Sequence, residues 1–62
     1  MKIKYVVFVT VYCIDGMRKT TSANFGANYD AAKAYAGKES VRKLRLCDTR
    51  REVRLRMLLD EG

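Results

Sequence analysis

Basic and aromatic side chains lie at even-numbered positions near both ends of the chain, and apolar residues occupy the odd-numbered positions between them. This set comprises Lys2, Lys4, Phe8, Tyr12, Arg54 and Arg56. Guanidinium and ammonium groups bind phosphates and carboxylates, whereas aromatic rings supply stacking surfaces or buried anchors. These residue types therefore suit binding to an acidic protein or a nucleic acid rather than catalysis.

Residues suited to catalysis or metal binding are scarce. The chain has no histidine and only two cysteines, which excludes Ser–His and Cys–His nucleophile systems and a four-ligand Cys/His zinc site within one chain. There is no glycine-rich phosphate loop, and the seven carboxylates form no evident pair. We therefore predict a protein that is not an enzyme and that has no catalytic, cofactor-binding or metal-binding residues.

The positive charge is unevenly distributed along the chain. The net charge is +6, and seven of the thirteen basic residues lie between positions 41 and 56, where only Asp48 and Glu52 offset them. Such a surplus favours an acidic partner, either nucleic acid or an acidic protein surface, and accelerates association with it. The alternative is that the charge only keeps a small domain in solution.

Chain length and cysteine usage limit the class of protein. Sixty-two residues predict a single domain, 1–62, with a small core. Cys13 lies in an apolar row and is predicted to be a core residue, whereas Cys47 is predicted to face outward. Because an exposed free thiol suits a reducing compartment, we predict a cytoplasmic protein. The longest apolar run, about ten residues, is too short to cross a membrane, so no membrane partner is expected.

Strict alternation predicts the strands that position the basic and aromatic side chains. Apolar residues occupy every second position from Ile3 to Cys13 and again from Val53 to Leu59, which is typical of half-buried strands. The segment 49–60 also has helix propensity and begins with a capping-box pattern. The strand is favoured because the alternate apolar positions would face all sides of a helix.

Gly16 lies in the turn of a predicted hairpin that follows the first strand. A two-residue loop would place the apolar row of the first strand beside polar residues. A three-residue loop with Gly16 as a bulge instead pairs Val7 with Ala23 and Val9 with Thr21, which joins the apolar rows on one side. We therefore predict the three-residue loop.

A helix is predicted after the hairpin. Asn28 is a suitable N-cap for a helix from Tyr29 to about Arg42. A stripe of small residues that includes Ala32 would let this helix lie close to the sheet. Gly37 either lies inside the helix, at a cost of about 1 kcal/mol relative to alanine, or ends it as a left-handed cap.

The remaining segment completes the predicted fold. Leu44 and Leu46 alternate with polar residues over 43–47, which suggests a strand, and 48–51 is predicted to turn into the last strand. The expected fold class is therefore α+β, with a single four-stranded antiparallel sheet, one helix on one face and the order β-β-α-β-β.

The side of this predicted sheet away from the helix mixes cations with aromatic and apolar residues. It collects Lys2, Lys4, Val6, Phe8, Tyr12, Arg18, Lys43, Arg45, Arg54, Arg56 and Leu58. The residues expected to contact a partner are Phe8, Tyr12, Lys4, Arg18, Arg45, Arg54 and Arg56.

Three kinds of partner suit that surface. An acidic protein surface or nucleoprotein complex would use the two rings as anchors and the arginines as electrostatic contacts. Single-stranded nucleic acid would stack bases on the rings and place phosphates on the cations, without sequence preference, although no motif of an RNA-binding family is present. In a homodimer, Val6, Phe8 and Tyr12 would be buried against a second copy and the arginines would form a solvated rim.

One family resemblance rests on element order. A strand leads through Ala27-Asn28-Tyr29-Asp30-Ala31-Ala32-Lys33 into a short helix carrying Lys38-Glu39-Ser40, and a closing hairpin follows. Over roughly residues 20–60 this resembles certain small phage-encoded anti-CRISPR proteins. The resemblance implies a non-enzymatic inhibitor that docks on a bacterial defence complex in the host cytoplasm and blocks nucleic-acid access. It carries over no functional residue.

Overall fold

A computed structural model describes residues 2–60, with only the backbone described for Asp60, and it contains three strands and one helix. In chain order they are β1 (Lys2–Cys13), β2 (Arg18–Asn24), α1 (Tyr29–Ser40) and β3 (Asp48–Asp60). The strands form one antiparallel sheet in the order β2-β1-β3, with β1 in the centre. The helix α1 packs on one side of it.

The predicted four-stranded sheet is wrong, because residues 41–47 form a loop and the element order is β-β-α-β. Asp48 closes this loop: its Oδ2 accepts from the backbone N–H of Arg45 (3.3 Å) and from Arg45 Nε (3.0 Å). The backbone N–H of Asp48 also donates to the Arg45 carbonyl (3.0 Å). Leu46 is fully exposed, so the alternation of two leucines buries too little surface to form a strand.

The last strand begins earlier than predicted. The segment 48–51, expected to be a turn, belongs to β3, which pairs with β1 over nearly its whole length. The register runs from Lys2 opposite Asp60 to Cys13 opposite Asp48, with one irregularity between Tyr12 and Cys13. The preference for a strand over a C-terminal helix is thereby confirmed.

The hairpin register is confirmed. Gly16 has φ of +88°, and its N–H donates to the Cys13 carbonyl (3.0 Å), while the Cys13 N–H donates to the Met17 carbonyl (2.7 Å). Val7 is accordingly paired with Ala23. Glycine suits this bulge because a positive φ strains residues that carry a Cβ.

The helix begins as predicted and ends slightly earlier. The Asn28 side-chain oxygen accepts from the Ala31 N–H (3.0 Å), which confirms the N-cap, and α1 ends at Ser40 rather than near Arg42. Ala32 is completely buried against Val7 and Val9. A small residue at this contact allows the helix backbone to approach the sheet closely.

The helix is too short to cover its side of the sheet. Twelve residues of helix span about 18 Å, whereas the twelve residues of β1 extend about 40 Å. Beyond the helix, Ile3, Met57 and Leu59 are 43%, 63% and 59% exposed. The side of the sheet that carries α1 therefore retains apolar surface at one end.

Replacing Gly37 with alanine should stabilise the protein by about 1 kcal/mol, because glycine lies inside α1 and loses more backbone entropy there than alanine does. A Cβ at this position would meet nothing within 4 Å. Urea denaturation followed by circular dichroism measures the change. Gly26→Ala is the matched control: φ of +57° at Gly26 strains alanine, so that variant should lose stability. Equal stability of Gly37→Ala and wild type would contradict an interior helical position.

Candidate partner-binding face

The side of the sheet opposite α1 is built from alternate residues of all three strands, and we call it the open face. It consists of Lys2, Lys4, Val6, Phe8, Thr10, Tyr12, Arg18, Thr20, Ser22, Asn24, Arg50, Glu52, Arg54, Arg56 and Leu58. The hydrogen bond between the hydroxyls of Thr10 and Thr20 (3.0 Å) illustrates that directly paired residues share a side. Among the residues of this face whose side chains the structure describes, six are basic and one is acidic, so the described face is strongly cationic.

Phe8 lies near the middle of the open face. It is paired with Ser22 on β2 and with Arg54 on β3, and its side chain is half-buried. It borders an open depression whose other lining residues are Thr20, Arg54, Arg56 and Leu58. An apolar floor edged by two guanidinium groups can receive an apolar side chain or a base while pairing with a neighbouring anion.

Tyr12 is held by contacts within the chain. Its hydroxyl donates to Glu52 Oε2 (3.3 Å), and the guanidinium carbon of Arg50 lies 4.3 Å from the centre of its ring. Arg18 is paired with Tyr12 on the other strand. The cation–π contact fixes the ring and occupies one of its faces. Tyr12 is therefore less available to a partner than Phe8.

Glu52 divides the cations of the open face into two groups. It forms ion pairs with Arg50 (3.3 Å) and Arg54 (3.7 Å). Within residues 2–59 no ion pair to Arg56 or Lys4 occurs, and these residues lie toward the opposite end of β1 and β3. Arg18, beside Tyr12, also forms no ion pair within residues 2–59, so positive charge is available to a partner at both ends of the open face.

The homodimer hypothesis requires Val6 to be exposed in the single chain and buried by a second copy, but Val6 is already buried. It is only 7% exposed within the single chain, although it is on the open face, outside the cluster under α1. Its directly paired neighbours are Asn24 and Arg56, and long arginine stems commonly cover apolar side chains in this way. Val6 therefore needs no second copy for its burial.

Arg45 is not part of the open face, because it lies in the loop 41–47, as does Lys43. Its guanidinium donates to Asp48, and this hydrogen bond, helped by the positive charge, lowers the pKa of the Asp48 carboxyl below its ordinary value. The same contact raises the pKa of Arg45. The placement of Arg45 on the sheet rested on the strand predicted over 43–47, which does not form.

The other six predicted contact residues, Lys4, Phe8, Tyr12, Arg18, Arg54 and Arg56, lie on the open face.

Two charged residues of the open face, Arg50 and Glu52, were missing from the sequence-based prediction. They continue the same alternation as Arg54 and Arg56, but the predicted turn over 48–51 includes Arg50, and Glu52 precedes the apolar alternation that begins at Val53. Extending the period of two back to Asp48 would have placed both on the cationic side. The pairing of Glu52 with Tyr12 joins residues forty positions apart, and no local pattern indicates it.

Comparison with known proteins adds no family to this description. Among residues 2–60, no helix is long and apolar enough to span a membrane. The chain matches no protein-family model, no curated protein and no solved structure.

Proposed function

We propose that this chain is a non-enzymatic binding protein that docks through the open face on an acidic protein surface. The observation that carries the proposal is the apolar depression at Phe8, which is edged by Arg54 and Arg56. Aromatic residues and arginine are the types that contribute most to binding energy at protein interfaces. The partner would insert an apolar side chain at Phe8 and pair its carboxylates with the two arginines.

The resemblance to small phage anti-CRISPR proteins suggests one such partner, although it rests on the strand and the helix alone, because residues 41–47 form a loop and no closing hairpin follows α1 within residues 2–60. The proposal accordingly extends to a nucleoprotein defence complex in the cytoplasm of a bacterial host, whose nucleic-acid access the bound chain would block. The thinness of the fold suits such a role, because its principal dimensions are 41 × 21 × 10 Å. A flat molecule of these dimensions has a large binding face relative to its mass.

Direct binding of single-stranded nucleic acid is the second candidate. It is favoured by the position of Phe8 and Tyr12 on the central strand, between basic residues of the neighbouring strands. One observation weighs against it. One face of the Tyr12 ring is already occupied by Arg50, which leaves only the other face for a base to stack on.

The first test compares Phe8→Ala and the double variant Arg54→Ala/Arg56→Ala with wild type in titrations against a CRISPR effector complex. Loss of a central aromatic anchor should weaken binding by about 30-fold or more, as for an interface residue worth at least about 2 kcal/mol. Loss of the arginines should mainly slow association.

The matched control is Lys33→Ala/Lys43→Ala, which removes the same charge from exposed residues outside the open face. Its affinity should stay close to that of wild type. An equal loss in this control would show that net charge, and not the open face, determines binding.

The second test titrates the same proteins against single-stranded DNA and RNA at several salt concentrations. If nucleic acid is the ligand, removal of Arg54 and Arg56 should reduce the logarithmic salt slope by about 0.7 per residue. Absence of binding at about 50 mM salt, where phosphate contacts are strong, excludes this candidate.

A further inference from the structure

Both cysteines and a methionine meet at the end of the sheet farthest from Lys4. Cys13, Met17 and Cys47 border the same depression, which lies between the hairpin turn and the loop 41–47. Both cysteines are free thiols; Cys13 is half-buried and Cys47 is exposed. This group of three sulfur-containing residues lies outside the open face.

The backbone holds the three residues together. The Ile14 N–H donates to the Cys47 carbonyl (3.0 Å), which keeps the α-carbons of Cys13 and Cys47 within roughly 8 Å by standard backbone dimensions. Across the hairpin, the Cys13 N–H donates to the Met17 carbonyl (2.7 Å). Cys13 is therefore flanked by one sulfur-bearing residue on each side.

We propose that Cys13, Cys47 and Met17 form a binding site for a monovalent soft metal ion, Cu(I), with two thiolate ligands and one thioether ligand. Thiolate and thioether sulfur select Cu(I) over harder ions. Within the described residues, no group of three or more Cys, Asp or Glu side chains could hold a metal ion, and histidine is absent from the sequence. A zinc site of ordinary composition therefore lacks ligands here.

Charges of both signs surround the depression, and the bound ion would add to them. Binding forms two Cu–thiolate bonds and one Cu–thioether bond, and each thiol releases its proton to solvent, so the bound group carries one net negative charge. Lys19 and Arg45 border the depression with positive charge, and Asp15 borders it with negative charge. Arg45 is paired with Asp48 (3.0 Å), and the Cys47 thiol donates to Asp48 Oδ1 (3.9 Å).

The loop 41–47 would gain an anchor from the bound ion. Residues 41–47 are all exposed, and the main tie of the loop to β1 is the single hydrogen bond from Ile14 to Cys47. A metal bridge from Cys13 to Cys47 adds a second tie at the same place. Copper should therefore stabilise the folded chain as well as bind to it.

The test is an anaerobic titration of the reduced full chain with Cu(I), in competition with a chromophoric Cu(I) chelator. Wild type should bind one copper per chain. Cys47→Ser changes an exposed residue and should retain the fold. Removal of a residue that only hydrogen-bonds to a metal ligand lowers metal affinity by roughly 10- to 100-fold, and removal of the ligand Cys47 should lower the copper affinity by more than that. Met17→Leu should lose about tenfold, at the lower end of that range. Cys13→Ser should match Cys47→Ser if it folds.

Thermal unfolding and molecular mass provide the second readout. At about 100 times the dissociation constant, free Cu(I) should raise the unfolding midpoint of wild type by about 10 °C or more and leave that of Cys47→Ser unchanged. Sedimentation should show a monomeric copper-bound chain. Undiminished copper affinity in Cys47→Ser, or copper binding only as a bridge between two chains, would overturn the proposal.

Discussion

Replacing Ala32 with leucine should destabilise the protein by about 1–3 kcal/mol, because the larger side chain has no space between α1 and the sheet. Ala32 is fully buried against Val7 and Val9. A domain of this length has a total stability of only a few kcal/mol, so a substantial fraction of the variant should be unfolded at room temperature.

The matched control for this substitution lies on the same helix. Ala34 is exposed, and leucine has nearly the same helix propensity as alanine, so Ala34→Leu should leave the stability almost unchanged. Urea denaturation of both variants, followed by circular dichroism, measures the difference. Equal stabilities would mean that α1 does not pack on the sheet through Ala32.

The largest effect of removing a charge is expected at Arg51. This residue lies on the same side of the sheet as α1, and its Nη1 donates to Glu39 Oε2 at 3.0 Å, with both side chains only 12% exposed. Arg51→Met keeps an apolar stem but leaves Glu39 without its buried partner. Breaking a buried pair in this way costs about 3–5 kcal/mol when burial is complete, and we expect about 2–4 kcal/mol here.

Arg42→Met is the control, because Arg42 pairs with the same carboxylate at 3.5 Å but is 66% exposed. Exposed pairs contribute about 0–1 kcal/mol, so this variant should stay close to wild type in denaturant titrations. The double variant Glu39→Leu/Arg51→Met should recover much of the loss of Arg51→Met, since it also removes the carboxylate that the single variant leaves without its buried partner. Equal losses for Arg42→Met and Arg51→Met would contradict the buried ion pair.

The sequence predicted those parts of the fold that depend on local patterns. The alternation of apolar residues identified β1 and most of β3, and the requirement for a continuous apolar side selected the three-residue turn at Gly16. Asn28 correctly indicated the start of α1. Each of these features depends on neighbouring residues or on one hairpin, which a single sequence reveals.

The prediction of a strand over 43–47 was wrong because an alternation of only two leucines is a weak indication of a strand. Whether Leu44 and Leu46 join a sheet depends on a free strand edge and on burial, which are properties of the whole fold. Asp48 instead ties back to Arg45 and starts β3. That error moved Arg45 onto the wrong surface and left Arg50 off the open face.

The position of the open face was predictable only in outline. Alternation placed Phe8, Arg54 and Arg56 on one side of the sheet, and the structure brings them together around one depression. The burial of Val6 and the contacts of Tyr12 with Arg50 and Glu52 involve long-range pairing. These contacts explain why Phe8, rather than Tyr12, is the expected anchor.

The most direct test of the open face is side-chain NMR of the ¹³C-labelled protein during titration with a glutamate-rich peptide. We predict shifts in the Phe8 ring and the Leu58 methyl groups, which border the depression beside Arg56. The methyl groups of Val53 and Leu55, which pack near α1, should stay unchanged. Shifts confined to the exposed apolar residues on the side of α1, Ile3, Met57 and Leu59, would contradict the proposed site.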